Sequence, residues 1–153
     1  MEIGASPELA LELPAIVERY LAAWNACDTD AIAQLITNDI VWADPALPEP
    51  AHGVPAVQEF MRTSFRAFPD LHFGEPDPPA LAASGGVVLW AWSMEGTHRG
   101  SIDPPGFAPT ARSMRIDGVD QWTMRDRRIA RYRAFYVMND VARQLGCTRA
   151  LAT

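Results

Sequence analysis

The chain has 153 residues, of which 48% are hydrophobic and 21% are charged, and its formal net charge is −6. This composition predicts one globular domain over residues 1–153 with a sizeable core. The acidic balance without a basic block argues against partners such as nucleic acid or anionic membranes. The two cysteines have no metal-ligand spacing and the first residues contain no signal peptide, so we expect a cytoplasmic protein. The longest apolar run is too short to span a bilayer.

The spacing of apolar residues predicts helices in the first half of the chain and strands in the second. A first helix opens at Pro14 and ends near residue 25, a short second helix extends to residue 36, and a third covers residues 54–68. Strands are predicted at residues 40–43, 87–96, 114–124 and 129–138, and a short helix ending before Gly146 closes the chain. Helices followed by a run of antiparallel strands predict an α+β fold in which the helices cover one face of a sheet.

Asp44 is the first candidate for chemistry. It follows the apolar run at residues 40–43 and shares one strand face with Ile40 and Trp42. Pro45 keeps its backbone extended. A carboxylate beside such side chains is costly to bury, which suggests a general base at the mouth of an apolar site. The alternative is a solvated Asp-Pro turn without a role.

Two further polar side chains lie on predicted apolar faces. Tyr20 belongs to the inner stripe of the first helix, and its hydroxyl needs a partner, which in the simplest case is a backbone carbonyl. Asp120 alternates with apolar residues on its strand, so it must pair or be protonated. It either forms a structural pair with Arg112 or Arg133, or stays neutral and donates a hydrogen bond to a developing oxyanion.

Residues 19–25, the Asp44-Pro45 pair, Gly53 and Phe60 resemble the N-terminal half of the Δ5-3-ketosteroid isomerases. In that family a helix-one tyrosine and an aspartate before a proline act as oxyanion donor and general base. The resemblance implies these roles for Tyr20 and Asp44, and the role of a second, protonated oxyanion donor for Asp120.

The rest of the chain resembles the wider SnoaL-like polyketide cyclases of the same fold, at Phe68-Pro69-Asp70, at residues 96–100, at Pro109-Thr110 and at residues 144–146. The resemblance implies an NTF2-like cone, a curved sheet with N-terminal helices around a deep pocket, and a homodimer. SnoaL-type cyclases tend to carry an aspartate near the end of the last strand, where this chain has Val137. Because valine cannot carry a proton, Asp44 is the better base.

The resulting hypothesis is a cofactor-independent isomerase or cyclase that removes a proton next to the carbonyl of a polycyclic ketone, steroid-like or polyketide. No metal site is predicted, since the three histidines lack ligand spacing. Large inner-face side chains are expected to contact the substrate, although at least half of Trp42, Trp90, Trp92 and Trp122 should prove to be core. The expected contact residues are Trp24, Trp42, Phe60, Trp90, Trp92, Met94, Met114 and Trp122.

Two other functions remain open from the sequence. Epoxide-opening enzymes on this fold use a second acid near the end of helix three, a role that Asp70 could fill beside Asp44. A non-catalytic ligand-binding module is the alternative from another class, because folds of this kind also bind without reacting. His98 could reach the pocket mouth, but a loop histidine is more often solvated.

Overall fold

A computed structural model describes residues 7–103 and 106–147. The ends of the domain predicted over residues 1–153, and Pro104 and Pro105 of the loop after the long strand, lie outside the described residues. The helices are α1 (Pro7–Asn25), α2 (Thr29–Ala33), α3 (Val54–Ala67) and α4 (Met138–Leu145). The strands are β1 (Ile36–Ala43), β2 (Ala51–His52), β3 (His72–Phe73), β4 (Ala80–Leu81), β5 (Val87–Thr97), β6 (Ser113–Arg125) and β7 (Arg128–Phe135).

The predicted α+β class is confirmed. One seven-stranded sheet has the order β2-β1-β7-β6-β5-β3, and β4 also pairs with β5. The long strands β5, β6 and β7 form an antiparallel meander. The prediction of a purely antiparallel sheet is wrong at one place, because β1 pairs with β7 in parallel. This pairing brings the end of β1, and hence Asp44, beside the end of β7.

Element boundaries differ from the predictions mainly around prolines and short elements. Helix α1 starts at Pro7 rather than Pro14, because Leu9 and Leu13 extend its buried stripe while Pro14 lies exposed inside the helix. Helix α2 ends at Ala33, since Ile36 already pairs with Ile129 of β7. Strands β2 and β4 were not predicted, since two-residue strands have no detectable period.

The core lies between α1, α3 and the inner face of the sheet, where an unusually aromatic cluster joins helix to strands. Within the described residues, no helix is both long and apolar enough to cross a membrane. At the C-terminal end, Gly146 caps α4 in the left-handed conformation at φ 76°, as expected for a glycine just past a helix. Helix α4 packs on β6 and is tied to it by the Gln144 side chain, which bonds both backbone groups of Arg115.

Candidate active site

A cavity of about 150 Å³ lies between the helices and the inner face of the sheet. Helices α1 and α3 form one side of it, strands β5, β6 and β7 the other, and α4 with the loop after β1 covers it. The wall is mostly apolar. Its lining includes Trp24, Asp44, Leu47, Phe60, Thr63, Ser64, Phe68, Phe73, Trp92, Met94, Met114, Ile116, Tyr132, Tyr136, Met138 and Val141.

Asp44 places a carboxyl group in this wall. Its Oδ1 accepts a hydrogen bond from the Tyr136 hydroxyl at 2.5 Å and another from the Ala46 N–H at 2.8 Å. Both of these bonds are on Oδ1, and no hydrogen bond to its Oδ2 is found among the described residues. Burial raises the pKa of Asp44, and the bonds from Tyr136 and Ala46 oppose that rise. The solvated-turn alternative is therefore only half right: the turn bond to Ala46 exists, but the carboxyl lines the cavity.

Asp120 is 1% exposed and is held by three neutral donors. Its Oδ1 accepts from Trp92 Nε1 at 2.8 Å and from the Tyr132 hydroxyl at 3.0 Å, and its Oδ2 accepts from Trp122 Nε1 at 3.2 Å. Burial raises the pKa of Asp120 to about 7, against the three hydrogen bonds, and the charge of Asp44 adds to the rise. None of the ion pairs found in the described part of the chain involves Asp120, so the alternative of a structural pair with Arg112 or Arg133 is not met.

Tyr20 does not point into the cavity, which corrects the expected placement. Its side chain is 1% exposed and is absent from the cavity wall. Its ring centroid lies 4.9 Å from that of Trp122 and 5.8 Å from that of Trp90, so it belongs to the aromatic core between α1 and the sheet. Burial, and next the charge of Asp120, raises the pKa of its hydroxyl.

Gly118 allows Trp92 to reach Asp120. The two residues face each other across β5 and β6, and a Cβ at position 118 would lie 2.4 Å from the Trp92 ring. No ordinary contact is that short, so any side chain at this position must displace the indole. The absence of a side chain at Gly118 therefore lets the Trp92 ring lie across β6 with its N–H on the Asp120 carboxyl.

Five of the eight expected contact residues line the cavity, and they are Trp24, Phe60, Trp92, Met94 and Met114. The other three, Trp42, Trp90 and Trp122, are at most 2% exposed, are absent from the wall and pack in the core. The expectation that at least half of the strand tryptophans are core is thus met. Their distance from the cavity follows from the packing of α1 on the sheet, which strand alternation does not reveal.

Asp70 and His98 both lie away from the cavity wall. The two oxygens of Asp70 accept bonds from the backbone N–H and the hydroxyl of Thr97, both at 2.7 Å, which lowers the pKa of this exposed carboxyl. His98 is 0% exposed, so the expectation of a solvated loop histidine is wrong. Burial lowers its pKa, and its Nδ1 lies 3.1 Å from the Thr110 hydroxyl.

The sequence did not single out two cavity residues, Tyr132 and Tyr136. Each bonds one of the two buried aspartates. A signal did exist: Tyr132, Ala134 and Tyr136 alternate with Arg131, Arg133 and Phe135, so the tyrosines share a face. That this face is the inner one only becomes clear once the pairing with β6 and β1 is known.

The model of the SnoaL-like domain family matches residues 17–132. The chain belongs to the SnoaL-like family. The matched stretch contains Tyr20, Asp44 and Asp120, together with Tyr132 at its end, whereas Tyr136 follows it. The sequence resemblance is therefore confirmed at the level of the family.

Solved structures show the same fold across nearly the whole chain. A protein from Acidithiobacillus ferrooxidans, provisionally named a polyketide cyclase, superposes with a TM-score of 0.73 at 23% identity, covering 95% of this chain and 98% of that one. One from Xanthomonas campestris, named in the same way, gives 0.78 at 17% identity, with 90% and 98% covered. A protein from Catenulispora acidiphila with a ketosteroid isomerase-like fold gives 0.72 at 18% identity, with 87% and 93% covered. These likenesses establish the NTF2-like cone and nothing finer.

Proposed function

We propose that this SnoaL-like protein is an acid–base enzyme that removes a proton from the carbon next to the carbonyl of an apolar cyclic ketone, without a cofactor. The observation that carries the proposal is the Asp44 carboxyl in the wall of an apolar cavity, with Oδ1 occupied and Oδ2 unpartnered among the described residues. Isomerase or polyketide cyclase activity, in keeping with the names given to its structural neighbours, follows from the same first step.

Asp44 is the proposed base. Burial raises its pKa, which makes the carboxylate a stronger proton acceptor than an exposed aspartate. The bond from Tyr136 fixes the carboxyl plane. In the reaction Oδ2 takes the proton, and the C–H electron pair moves toward the carbonyl to form an enolate. Return of the proton to another carbon gives an isomer. Attack of the enolate carbon on a second carbonyl instead closes a ring, and the alkoxide formed from that carbonyl takes the proton back from Asp44.

The enolate oxygen needs hydrogen-bond donors, and the resemblance implied Tyr20 and Asp120 for this task. Neither side chain lines the cavity. We therefore propose that Asp120 acts indirectly, through Trp92 and Tyr132, which cover it and do line the cavity. For Tyr20 the role that we propose is to hold the rings of this network in place from the α1 side.

The size of the cavity bears on the substrate. A volume of about 150 Å³ lies below the range of roughly 300–1,000 Å³ typical of ligand pockets. A polycyclic ketone therefore fits inside this cavity only if its cover moves, and the cover consists of Leu47, Pro48, Met138 and Val141. We propose that these residues separate to admit a polycyclic substrate. Epoxide opening by Asp44 with Asp70 finds no support, because both oxygens of Asp70 bind Thr97 outside the cavity.

Asp44→Asn is the direct test. Wild-type and variant proteins are incubated with one- to four-ring ketones in D₂O, and deuterium uptake next to the carbonyl is followed by NMR. We expect the variant to lose at least about 10²-fold in exchange rate, while its circular dichroism and ketone affinity stay near those of the wild type. Asp70→Asn is the control and should exchange normally. Ketone binding without any exchange by the wild type would instead identify a ligand-binding module.

A further inference from the structure

Two tyrosines on one inner face of the last strand segment contact the two buried carboxyl groups separately. Tyr136 donates to Asp44, and Tyr132 donates to Asp120. Both tyrosines line the cavity, whereas Asp120 does not. The first pair positions the proposed base. The second pair joins a buried carboxyl to the cavity through a single hydroxyl group.

The Tyr132 ring is fixed in place. It stacks on Trp42 with ring centroids 3.5 Å apart and planes inclined by 10°, and it lies 6.5 Å from Tyr20 at 25°. With the ring clamped, the remaining freedom of the side chain is rotation of the hydroxyl proton. The hydroxyl oxygen therefore stays near Asp120 whichever way that proton points.

The direction of the bond between Tyr132 and Asp120 depends on one proton. When Asp120 is ionised, the Tyr132 hydroxyl donates to Oδ1. When Asp120 is protonated, its own O–H donates to the Tyr132 oxygen and the phenolic proton is free to point into the cavity. The indoles of Trp92 and Trp122 donate to the carboxyl in both states, so the protonated form loses no partner.

We propose that Tyr132 is the residue that donates a hydrogen bond to the substrate oxyanion, with Asp120 as the positioning residue that directs its proton. The proposal rests on the proposed function. Asp120 donates a hydrogen bond to Tyr132, and Tyr132 donates one to the enolate oxygen, but neither proton is transferred. Both hydrogen bonds strengthen as negative charge develops on the enolate oxygen and weaken when the carbonyl reforms.

Few titratable groups face this pair. Among the described residues, two tyrosines lie near Asp120: Tyr20 on α1 and Tyr132 on β7. The charge of Asp44, at the end of β1, also affects the pKa of Asp120. The β5 and β6 neighbours Trp90, Trp92 and Trp122 are neutral. Burial raises the pKa of both tyrosines well above their ordinary value, so they stay neutral around pH 7. With Asp44 replaced by Asn, Asp120 is the carboxyl that remains in contact with Tyr132, and Asp103 is the other carboxyl in the cavity wall.

The test uses an oxyanion that undergoes no reaction. The probe is a nitrated naphthol that is ionised throughout pH 6–9, and the reference ligand is the same nitronaphthalene without the hydroxyl group. Affinities are measured by fluorescence titration with the Asp44→Asn protein as the parent. We expect Tyr132→Phe to weaken the naphtholate about 10- to 100-fold, the usual loss for one hydrogen bond to a charged group, and to leave the reference ligand unchanged.

The pH dependence separates a directing role of Asp120 from a merely structural one. In the parent, naphtholate affinity should fall as the pH rises and Asp120 loses its proton, at a pH below about 7 because the Asp44 charge that raises the pKa of Asp120 is absent. The fall should reach tenfold per pH unit at most, and it should vanish in Asp120→Asn, whose side chain stays neutral. Asp120→Leu, which removes the donor, should bind less tightly than Asp120→Asn.

Tyr20→Phe is the matched control, because it also removes one tyrosine hydroxyl and keeps the ring that packs against the network, but that hydroxyl lies outside the cavity wall. A loss in Tyr20→Phe as large as that in Tyr132→Phe would overturn the proposal, and so would a pH-independent affinity in the parent. These binding results do not depend on turnover. Normal proton exchange by Asp44→Asn would defeat the proposed function while leaving the naphtholate result intact.

Discussion

Two aspartates in one small protein are given different chemistry by their hydrogen-bond partners. Asp44 has both bonds on one oxygen, so its other oxygen can meet a substrate. Asp120 has donors on both oxygens and is 1% exposed, and none of the ion pairs among the described residues includes it, so it has no room for direct contact with substrate. The Asp44 carboxyl can therefore accept a proton from a substrate. The Asp120 carboxyl can act only through the side chains that hydrogen-bond to it.

Replacing Tyr136 by Phe should move the pH dependence of the reaction. The Tyr136 hydrogen bond stabilises the ionised form of Asp44 and lowers its pKa, so its loss should raise that pKa further. Below this pKa the base is protonated and inactive, and the acid limb of kcat/KM should therefore shift to higher pH. Thr63→Ala is the control, because the Thr63 hydroxyl also lies in the wall but bonds the Phe60 carbonyl. An unmoved acid limb would show that Tyr136 does not tune the base.

Asp120 should make the folded state less stable as the pH rises. Its pKa is about 7 in the folded protein, against 3.8 for an ordinary aspartate such as that of the unfolded chain. Between these two pH values the folded protein therefore binds one more proton than the unfolded chain. The free energy of unfolding should fall by up to about 1.4 kcal/mol per pH unit in this window and level off above it. Urea unfolding is measured at pH 4.5 and pH 8. The free energy of unfolding of Asp120→Asn, relative to that of the wild type, should be higher at pH 8 than at pH 4.5. Parallel pH curves for the two proteins would contradict this.

At the scale of elements, pairing between strands assembles the site. The parallel pairing of β1 with β7 brings Asp44 beside Tyr136, two residues that are far apart in the chain. The antiparallel pairing of β5, β6 and β7 brings Trp92, Asp120 and Tyr132 together. Because each pair depends on register, a shift by one residue would turn every one of these side chains to the outer face.

Gly118→Ala tests this dependence on the sheet. The new methyl group would lie 2.4 Å from the Trp92 ring, so the indole must move and its bond to Asp120 must lengthen or break. We expect a loss of about 1–3 kcal/mol in the free energy of unfolding and a shifted Trp92 indole N–H signal in NMR spectra. Val119→Ala, at an exposed neighbouring position of β6, should leave the indole signal in place. An unshifted indole signal in Gly118→Ala would mean that the hydrogen bond from Trp92 to Asp120 does not require a glycine at position 118.

At the scale of the whole molecule, the outer face of the sheet carries apolar side chains in contact with solvent. Leu89, Val119 and Phe135 are 41%, 36% and 42% exposed, and Val119 lies opposite Phe135 across β6 and β7. The Arg133 guanidinium sits 4.5 Å over the Phe135 ring. Neighbouring exposed apolar residues on one sheet face are typical of an interface with another protein surface.

The homodimer implied by the family resemblance stays a prediction, and this face is where we expect it to form. Phe135→Asp would bury a charge in such an interface, so it should produce monomers at micromolar concentration in sedimentation velocity. Leu11→Asp is the control: Leu11 is 84% exposed on α1, away from the sheet, and its substitution should leave the association unchanged. A wild-type protein that sediments as a monomer would refute the dimer itself.

The α+β class, the long helix α3, the strands β5 and β6 and the buried setting of Asp120 could all be read from the sequence. Each depends on periodicity over many residues, which local chain geometry imposes. The position of Asp44 in the cavity wall could also be predicted from the sequence, because it follows from the apolar strand face next to it and from Pro45 directly after it. Even the family resemblance was carried by ordered local motifs.

Only the tertiary structure decided which polar groups meet the cavity. Tyr20 and Tyr132 both lie on apolar faces, yet one is in the core and the other in the wall. That difference depends on how far α1 sits from the sheet, and hence on the combined volume of the rings between them. The parallel β1–β7 pair and the space over Gly118 are likewise set by contacts between distant segments. The free energy of such contacts depends on the whole packing arrangement, which no local pattern encodes.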